Sequence, residues 1–222
     1  MDLRANLKNI KSTIPPHVKL VAVSKFHHKE ALAEIYDAGQ KIFGESRVQE
    51  LSAKQAQLPD DIEWHLIGHL QTNKIKTIAP YIHTIESVDS WKLLVEIDKY
   101  ASRAKRKINC LLEIHIARED SKFGFTFDTC RQMLENKDWH SLEYINIAGV
   151  MGMATYSNDE NLIREEFRSL KNFYEELKNK YFSDSPHFKE ISMGMSHDYK
   201  IAIEEGSTIV RIGTSIFGER EF

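Results

Sequence analysis

From residue 20 to its end, the chain holds eight short apolar runs, the first seven each followed by a stretch of helical spacing, and this alternation restricts its fold more than any other feature. Residues 20–25, 41–46, 64–68, 84–88, 109–116, 145–153, 190–193 and 208–214 read as strands, with β-branched and large apolar residues in nearly continuous runs. Between them, residues 29–38, 47–57, 73–79, 90–105, 127–136, 162–181 and 197–205 place apolar residues three and four apart, as one face of a helix requires. A further amphipathic helix over residues 1–12 stops at Pro15-Pro16. Strands that alternate with helices and are apolar on both faces belong to parallel sheets covered by helices. Eight such units in 222 residues, with no domain-sized linker, predict one α/β domain spanning residues 1–222, a closed (β/α)8 TIM barrel. Periodicity alone leaves an open doubly wound sheet as the alternative.

Composition excludes several classes of function. With 30 basic against 33 acidic residues, the net charge of -3 gives no electrostatic case for nucleic acid or an anionic membrane surface. Hydrophobic residues at 41% and charged residues at 28% are ordinary for a globular enzyme-sized domain, and no apolar run reaches the length of a membrane span or signal peptide. A cytoplasmic location is therefore expected. Cys110 and Cys130 are too few for a disulfide framework or a cysteine metal site. His65 and His69 straddle a strand end and a loop rather than sharing a helical face, so no metal is expected. The Gly149 and Gly152 pair lacks the third glycine of a dinucleotide fingerprint.

In a parallel barrel, chemistry is carried by the carboxyl ends of strands and the loops that follow. The polar residues at those points are Lys25, Ser46, His69, Ser87, the Glu119–Lys122 loop, Ser192, Ser196, Arg211 and Thr214. Lys25 ends the first strand. Burial disfavours an ammonium, and a neutral amine is a Schiff-base nucleophile toward carbonyl compounds, although a lysine there also has the option of snorkelling into water. After the last two strands, Ser196, Gly213 and Thr214 supply two hydroxyls and a close backbone approach, a combination suited to a phosphate monoester at the position where such barrels bind phosphate. Read singly, Ser196 is a helix cap and Gly213 a turn residue. Arg211 sits in an apolar strand and needs an acceptor, either a carboxylate such as Glu86 or Glu113 or an acceptor on a ligand ring. Together the three handles describe a ligand with an aldehyde, a ring acceptor and a phosphate.

Several stretches carry a family resemblance: Ala22-Val23-Ser24-Lys25, Phe43-Gly44-Glu45, the run from Trp64 to Lys74, Ser121-Lys122-Phe123-Gly124, the run from Ser192 to Ser196, and the run from Val210 to Gly218. In this order the chain resembles the pyridoxal phosphate homeostasis proteins, single-domain relatives of the amino-terminal barrel of alanine racemase. The resemblance implies that pyridoxal 5'-phosphate is held as a Schiff base on Lys25, its phosphate by Ser196, Gly213 and Thr214, with Arg211 facing the pyridine nitrogen. Arginine donates to that nitrogen without giving up its proton, which makes the cofactor a poorer electron sink. It also implies a monomeric role in vitamin B6 homeostasis with little or no catalysis, with PLP-dependent apoenzymes as partners. The alternatives are a PLP-dependent amino-acid racemase and a Schiff-base aldolase. A racemase of this lineage draws a second acid/base from a carboxyl-terminal β domain, and the chain, ending at Phe222, is expected to lack it. Three positions depart from the family pattern. Ser46 stands for an asparagine, His115 for an asparagine, and His197, expected to be simply exposed, for a glycine. Lys122 is expected in a surface salt bridge.

Overall fold

The structure, a computed structural model, describes residues 2–119 and 123–219. Among these, eight strands form a closed parallel barrel in chain order: β1 (Lys19–Val23), β2 (Ile42–Glu45), β3 (Glu63–Leu66), β4 (Thr84–Val88), β5 (Ile108–Glu113), β6 (Ile145–Met151), β7 (Glu190–Ser192) and β8 (Ile209–Ile212). Closure is decided by the pairing of β8 with β1, in which Leu20 lies beside Val210 and Val21 beside Arg211. That pairing removes the open-sheet alternative.

The outer layer contains α1 (Leu3–Ser12), α2 (Lys29–Asp37), α3 (Val48–Gln55), α4 (Ile75–Ile78), α5 (Trp91–Ala104), α6 (Phe127–Asn136), α7 (Glu160–Lys180), α8 (Tyr199–Glu204) and α9 (Thr214–Phe217). Their apolar faces pack on the outward residues of the strands, where Phe43, Trp64, Ile85, Cys110 and Val150 are buried beside Leu32, Leu94 and Phe167 of the helices. Ser90 caps α5 by accepting from the Leu93 N–H. Strand eight is followed by α9, so every strand carries a helix. Asn6 of α1 donates to the Ile216 carbonyl of α9 at 3.0 Å, tying the first helix to the last.

Inside the barrel the apolar filling is small: Val21, Leu111, Ala148, Met151 and Ile209. The rest of the lumen is polar, with His65, Glu86, Ser192 and Arg211 all buried. Crowding at the wall explains the Gly149 spacing that the sequence left without a role. A Cβ there would lie 1.8 Å from the Glu190 carbonyl oxygen, so β6 approaches β7 only through a glycine.

Candidate functional site

Lys25 lies two residues past the end of β1, in a turn closed by the His27 N–H donating to the Ser24 carbonyl at 3.1 Å. The third residue of this turn, Phe26, has φ 70°, a left-handed conformation that costs a non-glycine residue roughly 1–3 kcal/mol. Its surroundings hold it there. The Phe26 N–H donates to Glu50 Oε1 at 2.6 Å, and Lys54 Nζ donates at 2.7 Å each to the Ser24 carbonyl, Glu45 Oε1 and Glu50 Oε1. Ser24 Oγ adds a bond to Glu45 Oε1 at 2.6 Å. All three protons of one buried ammonium are thus spent fixing the backbone on both sides of Lys25. Burial pushes the Glu45 carboxyl above its ordinary range, with Lys54 and Ser24 pulling the other way.

Lys25 lines a cavity of about 290 Å³ at the carboxyl mouth of the barrel, together with Ser46, Ser196, Arg211, Gly213 and Thr214. This is near the lower end of the range for small-molecule sites. Ser196 Oγ accepts from the Gly213 N–H at 3.3 Å, which joins the loop after β7 to the loop after β8. A Cβ on Gly213 would lie 3.0 Å from the Val23 carbonyl, so that residue stays small where the backbone passes close to β1. Just beyond it, the first N–H groups of α9 have no acceptor within their own helix and are available to an anion, next to the Thr214 hydroxyl. The expected cofactor therefore fits its residues: an amine on one wall, and hydroxyl and N–H donors on the facing loops.

Arg211 rises from the polar lumen. Its Nη1 donates to Ser192 Oγ at 2.6 Å and its Nη2 to the Gly152 carbonyl at 3.0 Å. Glu86 Oε2 lies 3.6 Å from Nη1 and accepts from Ser192 Oγ at 2.6 Å, while Glu86 Oε1 faces His65 Nδ1 at 2.6 Å. Burial pushes the Glu86 carboxyl up, yet the hydrogen bond with His65, the Arg211 charge and the Ser192 hydroxyl outweigh it and hold the group below its ordinary value. Glu86 thus remains ionised and anchors the guanidinium from beneath. Of the two carboxylates the sequence offered to Arg211, Glu86 is the one in ion-pair reach. Glu113 ends β5, and burial, then the nearby Asp89 charge, pushes it up to about 7 against the pull of Arg211. Because the folded form keeps this proton to higher pH than the unfolded chain, its stabilising effect is complete at pH below 4.5 and lost as pH rises to about 7. The loss is at most about 3 kcal/mol. Glu113→Gln is therefore expected to raise the melting temperature at pH 8 and to flatten the stability profile between pH 5 and 8, as measured by thermal unfolding across that range.

Comparison with known proteins supplies the identity. Residues 1–221 match the family described as the alanine racemase N-terminal domain. The Pyridoxal phosphate homeostasis protein of Aquifex aeolicus is 40% identical over 207 residues, covering 92% of this chain and 88% of the relative. That of Schizosaccharomyces pombe is 36% identical over 92% of this chain and 85% of its own. The chain belongs to the pyridoxal phosphate homeostasis protein family. A solved structure of PipY from Synechococcus elongatus, with PLP bound, superposes with a TM-score of 0.88 at 35% identity, covering 98% of this chain and all of that one.

As a member of this family, the protein brings together in one cavity the residues singled out in its sequence: Lys25, Ser196, Arg211, Gly213 and Thr214. Ser46 joins them. Ser192 lies beneath, and two other rim residues point elsewhere: His69 pairs with Asp89 at 3.1 Å, and Ser87 donates to the Gly68 carbonyl at 2.7 Å. Asp120, Ser121 and Lys122 lie outside the described residues. One expectation needs correction. Ser196 does not cap α8, which starts at Tyr199, because its hydroxyl is turned to Gly213. His197 is exposed as expected and also lines the cavity, its Nε2 3.2 Å from Asp198 Oδ2 and its ring meeting Tyr156 edge-on at 5.0 Å. Sequence reasoning missed His27, Tyr156 and Met195 in the cavity wall, and Lys54 behind it. Tyr156 and Met195 occupy loops with no periodic signal, whereas Glu50 and Lys54 stand four apart on a helix, the spacing of an ordinary surface pair.

Proposed function

We propose that this protein binds pyridoxal 5'-phosphate at the carboxyl mouth of the barrel and serves as a cofactor carrier in vitamin B6 homeostasis, with little or no catalysis of its own. One observation carries the reading: Lys25 shares a single cavity with the Ser196, Gly213 and Thr214 donors and with Arg211. When bound, the cofactor supplies an aldehyde to which Lys25 Nζ bonds with loss of water. Ser196, Thr214 and the N–H groups at the start of α9 donate to the phosphate oxygens. Arg211, braced by Glu86 and Ser192, serves as the donor for the ring nitrogen. A guanidinium in that role stays protonated, so it does not convert the ring into a strong electron sink, which favours storage over amino-acid racemisation. The relatives' naming as homeostasis proteins and the PLP held by PipY support the same reading. A monomer that passes its cofactor to PLP-dependent apoenzymes, in the cytoplasm, completes the proposal. Among the described residues no helix is long and apolar enough to cross a membrane.

Titration with pyridoxal 5'-phosphate and with pyridoxal tests the anion cradle. The phosphate ester is expected to bind at least tenfold more tightly. Ser196→Ala combined with Thr214→Val should erase most of that advantage, since each lost hydrogen bond to a charged group is worth roughly 1.5–3 kcal/mol. Equal affinity for both compounds in the unaltered protein would remove the phosphate assignment.

A further inference from the structure

The opposite mouth of the barrel holds a second cluster, at the amino ends of the strands. Glu63 begins β3, His65 lies two residues further along it, and His83 immediately precedes β4. One ligating atom from each lies within 4.8 Å of the others. They line a cavity of about 260 Å³ that is separate from the one containing Lys25. From these residues we propose a divalent metal site, with Glu63, His65 and His83 as ligands and zinc as the ion it suits.

The ring nitrogens are arranged for this task. His65 Nδ1 is 2.6 Å from Glu86 Oε1, a carboxylate oxygen that accepts, so Nδ1 is the donor in this contact and Nε2 is left for a metal. A carboxylate behind a histidine is the usual outer partner of a zinc ligand, fixing both tautomer and ring orientation. His83 Nδ1 lies 2.8 Å from the Thr84 hydroxyl, which can accept its proton, and His83 Nε2 lies 3.6 Å from Glu63 Oε2. The two rings are nearly parallel, 9° apart, at a centroid separation of 5.7 Å. Ligand atoms around tetrahedral zinc stand about 3.3 Å apart, given bonds of about 2.0–2.1 Å. The half-exposed Glu63 and His83 side chains can close that difference onto the buried His65. The Lys19 ammonium, which also lines this cavity, is neutralised by Glu190 at 2.7 Å. Two imidazoles and one carboxylate select a borderline ion such as Zn²⁺ over Mg²⁺ or Ca²⁺, and three protein ligands leave a fourth position for water. The sequence could not pair these histidines, because β3 and β4 come together only in the sheet, where His65 stands beside Thr84.

Cobalt titration of the full, chelator-treated chain tests the site, because four-coordinate Co²⁺ absorbs strongly in the visible and six-coordinate Co²⁺ does not. The expected result is an intense visible band that saturates at one equivalent and is displaced by Zn²⁺ but not by Mg²⁺. His83→Ala and Glu63→Ala should each weaken binding at least tenfold, while the surface variant His17→Ala leaves it unchanged. Both altered side chains are half exposed, and a melting curve for each variant verifies that it folds. If His83→Ala does not fold, Glu63→Gln provides the same readout. Absence of the band, or a band that persists at full affinity in the folded Glu63→Ala or Glu63→Gln protein, would overturn the proposal.

Discussion

Replacing Lys54 by alanine is expected to destabilise the protein by about 3–5 kcal/mol, the cost of leaving a buried charge without its partner. Lys54 and Glu45 are both almost wholly enclosed, and Glu45 Oε2 already lacks a hydrogen-bond partner, so nothing else in the network takes over the negative charge. For a domain of this size such a loss lowers the melting temperature by roughly 10 °C. The same substitution removes the bond to the Ser24 carbonyl, one of the contacts holding the turn that presents Lys25. Cofactor affinity should therefore fall along with stability. Combining Lys54→Met with Glu45→Gln removes both charges and should recover about half of the lost stability, as neutral replacements of buried pairs do. It should not recover the affinity, because methionine cannot donate to Ser24. Thermal unfolding and cofactor titration of the same variants separate the two effects, and a Lys54→Ala protein as stable as the parent would show that the network contributes nothing.

Lys25→Ala is expected to abolish covalent retention of the cofactor altogether. Ser196, Thr214 and Arg211 would still hold pyridoxal 5'-phosphate, but reversibly, so dialysis should remove it and the colour with it. The contrast with Ser196→Ala and Thr214→Val is diagnostic: those changes weaken the anion cradle, yet they leave an amine able to react. A Lys25→Ala protein that stays coloured after dialysis would place the covalent attachment on another residue.

The strand and helix pattern was legible because both faces of each strand are buried and the helices between them are amphipathic. Barrel closure was legible only through the count of eight strands, since no local pattern encodes the pairing of Lys19–Ala22 with Ile209–Ile212. Residues at strand ends could be enumerated from the sequence, and the topology then selected among them: Lys25 and Arg211 fall on neighbouring strands, while His69 is drawn away to Asp89 and stacks on Phe123 at 4.1 Å. What lay behind the site was hidden for a different reason. Lys54 sits on a helix with the composition of a surface helix, and only the packing of α3 against the end of β1 turns its ammonium inward. The column from His65 through Glu86 and Ser192 to Arg211 is likewise a product of four strands facing one lumen. Each member alone would read as an oddly polar residue in an apolar run.

The most direct test is borohydride reduction of the protein loaded with pyridoxal 5'-phosphate, followed by digestion and mass analysis of the peptides. Reduction should leave a single phosphopyridoxyl group per chain, attached to Lys25. A label distributed over surface lysines, or concentrated on any other lysine, would contradict the assignment of this cavity.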